Sequence, residues 1–140
     1  MTTKRIGALA LLFMLLTGVS VGVAGENHVR VALESVGDSG VTGWVNLVGL
    51  PHEKGTHINV IVSGLEKGEE YVSLYYDNHE CDLEPYSEDD VIGDTYTGNG
   101  GGHATTEGKA DDDLDEINSV SVRLASDFTL LACADVHPES

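Results

Sequence analysis

Positive charge is scarce in this chain. Seven lysines and arginines face 24 aspartates and glutamates, giving a formal net charge of −17 at pH 7. A surface of that sign repels polyphosphate, so nucleic acid and anionic membranes are poor partners. It suits cations or basic proteins, or serves solubility in salt. Cysteine is nearly missing, with only Cys81 and Cys133. Long apolar runs are confined to the N-terminus, so no later segment resembles a membrane span. Strong helical periodicity is also lacking beyond the first two dozen residues.

The N-terminus reads as a secretory signal. Lys4 and Arg5 precede an apolar run over residues 6–16, and small residues lead to Ala24 before Gly25. A positive start, a short apolar core and a small-residue exit define such a segment. Residues 1–24 are therefore expected to be removed, leaving residues 25–140 as one domain, secreted or periplasmic. The signal takes two cations and no acid with it, so the mature chain is more negative still. Two cysteines in an exported chain most simply pair with each other, with pairing to a second chain as the alternative. Closing a loop as long as that from Cys81 to Cys133 would stabilise by about 4 kcal/mol on the chain-entropy view.

The remaining pattern is all-β. Val29, Val31 and Leu33 alternate, and the turn Gly37-Asp38-Ser39-Gly40 follows. Val41, Gly43, Val45 and Leu47 share one face of a second strand, and Ile58, Val60 and Val62 share one of a third. Residues 71–76 are apolar on both faces and predict a central fourth strand. A polar fifth strand is predicted within 91–97, and a sixth near 103–106 with a turn at Glu107-Gly108. Val120, Val122 and Leu124 mark a seventh, and residues 130–136 an eighth. Eight strands with uneven loops predict a Greek-key β-sandwich or flattened barrel. Residues 77–102 form a connection long enough to suggest a functional loop. Trp44 is expected in the core or at an edge, with a surface binding role as the alternative.

Motifs for chemistry are sparse. The acidic run Asp111, Asp112, Asp113, Asp115 and Glu116 invites a calcium site, because hard cations take several carboxylate oxygens. The EF-hand pattern fails, since Glu116 occupies the glycine position and Val122 the final glutamate position. Residues 98–102 are glycine-rich but lack the Lys-Ser/Thr ending of a phosphate loop. Of six histidines, His79 lies beside Glu80, Cys81 and Asp82, and His103 could approach that loop from the next strand. These two are the candidate zinc or copper ligands. Neither paired catalytic carboxylates nor a Ser-His-Asp or Cys-His set stands out.

Four stretches together resemble the copper–zinc superoxide dismutase family across most of the mature chain. Gly40-Val41-Thr42-Gly43 is similar to its second strand. Val62 to Gly68 is similar to its GLxPG turn, with Lys67 in place of proline. Cys81 and Leu131-Ala132-Cys133 are similar to the two halves of its disulfide. The resemblance implies a superoxide dismutase-like Greek-key fold and a redox copper held by imidazoles, two of them spaced His-x-His on the fourth strand. The matching positions here are Ser73 and Tyr75, and sliding the register by one finds no histidine. The bridging histidine falls near Tyr86, the last copper ligand within 122–125, and the zinc aspartate near Tyr96 or Asp94. The substrate-guiding arginine falls at Leu130.

A cycling metal needs several imidazoles at fixed geometry, and an anionic substrate needs a cationic guide. The expectation is thus a secreted, non-enzymatic domain of this fold, acting as an extracytoplasmic binding or structural module for a protein or cation partner, with no cofactor. The competing expectation is a metal-binding protein. It would use His79 and His103 for zinc or copper, or Asp111, Asp113 and Asp115 for calcium.

Overall fold

The computed structural model describes residues 27–52 and 54–138. The expected signal segment, residues 1–24, lies outside them. Eight antiparallel strands follow in chain order: β1 His28–Ser35, β2 Thr42–Gly49, β3 Thr56–Ser63, β4 Glu70–Tyr76, β5 Tyr96–Thr97, β6 Ala104–Ala110, β7 Ser119–Leu124 and β8 Leu130–Asp135. The only helical pieces among the described residues are single 3₁₀ turns at Ser87–Asp89 and Leu114–Glu116. No helix there is long and apolar enough to cross a membrane.

The strands hydrogen-bond in the order β5-β4-β7-β8-β1-β2-β3-β6, and the two ends of this row touch. The sheet therefore curls into a nearly closed barrel. Its weakest seam on the β1 side is the β1–β8 pairing, which engages only Glu34 with Cys133 and Ser35 with Ala132. Inside, the alternation anticipated in β2 and β3 holds. Val45, Leu47, Ile58, Val60 and Val62 have no exposed surface and pack against Val120, Val122, Ala132 and Ala134. Burial of side chains of this size stabilises by roughly 1.5–3 kcal/mol each. Gly43 lies in β2 where the chain runs against β3. A Cβ there would lie 1.9 Å from the Ile61 carbonyl oxygen, so only glycine fits that approach.

Two expected elements differ. Glu107 and Gly108 do not turn the chain. They lie within β6, opposite Asn59 and Ile58 of β3. Gly108 is needed because the backbone of Gly93 crosses over it, and a Cβ would sit 2.6 Å from the Gly93 nitrogen. Within 91–97 only Tyr96–Thr97 forms a strand. Val91 makes a single bridge to Leu74, and Thr106 Oγ1 donates to the Ile92 carbonyl at 3.3 Å. That segment leaves β4 to seal the barrel seam, so its pairing is interrupted.

β4 is buried from Tyr71 to Tyr76, as expected of a central strand. Its two faces meet different surroundings. Tyr71 and Tyr75 point into the main core. Val72, Leu74 and Tyr76 point outward into a second apolar cluster with Cys81, Phe128 and Leu130. The chain segments around residues 77–95 and 125–129 cover this second cluster.

Candidate functional site

The outer face of β4 and β7 lies beneath the chain segments around residues 77–95 and 125–129. β7 reads Ser119-Val120-Ser121-Val122-Arg123. Period-two alternation sends the valines inward and turns Ser119, Ser121 and Arg123 toward the loop. All three are buried, with Arg123 only 6% exposed. Ser119 Oγ donates to the Asn78 carbonyl at 2.6 Å and accepts from the Cys81 amide at 3.1 Å. Ser121 Oγ shares a 2.7 Å hydrogen bond with the Tyr76 hydroxyl. Arg123 Nε donates to that same hydroxyl at 2.9 Å. The two guanidinium Nη atoms donate to the carbonyls of Phe128 and Cys81. One side chain thus ties β4 to both covering loops.

Cys81 and Cys133 form the disulfide between loop and β8, with Cα atoms 6.0 Å apart. Cys81 has φ of 59°, a left-handed conformation rare for a residue with a side chain. The surrounding turn ties itself together. The Glu84 carboxylate accepts from the amides of Asp77 and Asn78 and from Asn78 Nδ2, while Asn78 Oδ1 accepts from the amides of Glu80 and Asp82.

The expected ligand positions scatter. Ser73 lies on the interior face of β4, where its hydroxyl bonds the Tyr96 hydroxyl at 2.8 Å. Tyr75 shares that interior face, and Tyr86 is 70% exposed. Leu130 packs into the second apolar cluster. His79 Nδ1 meets Asp135 Oδ1 at 2.7 Å, a further tie from loop to β8. His103 Nδ1 bonds Ser63 Oγ at 3.1 Å, at the end of β3. Asp113 caps the Leu114–Glu116 turn and accepts from the Gly55 amide at 3.2 Å, while Asp115 is exposed. Asp111 is exposed as well. Among the described residues, no three histidine, cysteine or acidic side chains are grouped to hold a metal ion. A comparison with protein-family models finds no match, and a search of curated proteins finds none.

Sequence reasoning passed over Arg123, Tyr76, Ser121 and Ser119. Polar residues alternating with valine are the ordinary pattern of a strand with one solvated face. The only signal against that reading was the length of the 77–102 connection, which needs a surface to lie on.

Acids do gather nearby. Asp77, Asp112 and Glu116 line a shallow depression with Asn118. Burial raises the Asp112 pKa above its ordinary value, and the charges of Asp77 and Glu116 add to it. Burial likewise raises Asp90, helped by Asp112. Tyr75 is pushed up to about 12 by burial and by Asp90 and Asp112. A carboxyl with a raised folded pKa binds its proton more tightly folded than unfolded. Its contribution is complete below the unfolded value and is lost as pH rises through the folded one. Asp112→Asn should therefore raise the melting temperature at neutral pH, with the gain shrinking toward pH 4. Paired melts at the two pH values check this, and a gain that is equal or larger at the acidic pH refutes it. The Asp112 carbonyl that accepts from Thr56 Oγ1 is backbone and survives the change.

Proposed function

We propose that the chain is an exported, non-catalytic domain of superoxide dismutase-like Greek-key architecture, serving as an extracytoplasmic binding or structural module. One observation carries this reading. On the loop-covered face, Ser119 and Arg123 bond the loops directly while Tyr76 and Ser121 bond each other beneath them and Tyr76 steadies Arg123, so the face is packed shut without imidazoles. The strand order supports the topology, since the chain crosses the barrel between β3 and β4 and again between β6 and β7. The Cys81–Cys133 disulfide suits an oxidising compartment.

The test is metal loading of the purified protein with copper and zinc, followed by metal analysis and a direct superoxide-decay measurement. Substoichiometric metal and decay no faster than in the metal-free protein are expected. Stoichiometric metal lost on substituting His79 and His103 overturns the reading in favour of a metal-binding protein. Accelerated superoxide decay overturns it in favour of an enzyme.

A further inference from the structure

The side chains of β1, β2, β3 and β6 alternate outward from the core, and on the β1 side this outer face is bordered by Asp135 and Pro138, which line a depression with Arg30 and Trp44. Its centre is apolar. Trp44, Ile61 and Val48 are 44%, 39% and 39% exposed, and Trp44 sits beside Ile61 in register. Trp44, expected in the core or at an edge, instead lies outward on a strand with neighbours on both sides. The Arg30 guanidinium stacks over its ring at 4.6 Å from the centroid.

The charge of this face is the decisive oddity. Its cations Arg30 and Lys109 balance its anions Glu34 and Glu107, in a chain whose net charge is −17. Loss of net charge around a central aromatic and an arginine is the compositional mark of an interface core. For a partner as acidic as the chain itself, a neutral face is also the one where approach is not opposed by acid on acid.

Register supplies the rest. Arg30, Asn46, Asn59 and Glu107 form one row straight across the four strands. Ala32, Trp44, Ile61 and Thr105 form the next. A twofold axis parallel to the strands reverses each row. Arg30 of one copy then faces Glu107 of the other, and Trp44 of each covers Ile61 of the other. Asn59 meets Asn46 in the same way.

We propose that this face is an isologous dimer interface, occupied by a second copy of the chain. The inference stands independently of how the loop-covered face is read. Four strands at about 4.8 Å spacing and eight residues at about 3.3 Å rise give a face of roughly 500 Å². Two such faces bury about 1,000 Å², the threshold for a specific interface. Because the copies repel at long range, dimerisation strengthens as salt is raised.

Sedimentation equilibrium of the mature protein at low and high salt tests this, with melting curves confirming that each variant is folded. Wild type should dimerise, more tightly at high salt. Trp44→Asp with Ile61→Asp should raise Kd at least about tenfold while leaving the fold intact. Arg30→Glu alone should weaken association, and Arg30→Glu with Glu107→Arg should restore it. A wild-type monomer at every salt concentration overturns the proposal. So does a dimer indifferent to Trp44 and Ile61, or a charge swap that fails to rescue.

Discussion

Replacing Arg123 by leucine should lower the stability of the domain by about 3 kcal/mol or more, because three acceptors lose their donor together. Those acceptors are the Tyr76 hydroxyl and the carbonyls of Cys81 and Phe128. All three belong to a covered face, so water cannot replace the guanidinium without opening the loops. For a domain of this size the melting temperature should fall by about 10 °C. Lysine should rescue little, since one ammonium cannot match the planar fork that reaches three separate oxygens. Calorimetry of both variants decides the matter, and an R123L melt close to that of the parent would show that the loops hold without the clamp.

Removing the disulfide should cost about as much by a different route. Cys81 and Cys133 are separated by 52 residues, and tying them restricts the denatured chain by about 4 kcal/mol on the loop-entropy account. The Cys81→Ser, Cys133→Ser variant should therefore unfold at markedly lower denaturant concentration. Both devices restrain the same loop, since Cys81 offers its sulfur to Cys133 and its carbonyl to Arg123. Their combined loss should be smaller than the sum, because a loop already freed from β8 gives Arg123 less to hold. Strict additivity in denaturant titrations would show that the two act on separate units.

Most of the barrel was legible in the sequence. Alternating valines, leucines and isoleucines in β1, β2, β3 and β7 carry their own period, and the doubly apolar β4 declared a central position. What failed was non-local. Glu107 and Gly108 have the chemistry of a turn, yet the pairing of β6 with β3 overrides it, and the glycine answers to the distant Gly93. The polar face of β7 is covered only in part by the residues that follow it in sequence, around Phe128. Residues 77–95 arrive from another part of the chain to bury it. Ser73 and Tyr75 were expected to face a site, but the outward pleat belongs to Val72, Leu74 and Tyr76.

The crossing of Gly93 over Gly108 has one more consequence. A barrel left ajar ends in rims of unsatisfied amides and carbonyls, which invite a foreign strand to add on and seed fibrils. β5, only two residues long, is too short to serve as such a template. The longer β6 is guarded where the backbone of Gly93 lies across it and Thr106 fastens Ile92 in place. The segment that interrupts regular pairing thereby acts as a stopper, keeping the protein from polymerising through its open rim.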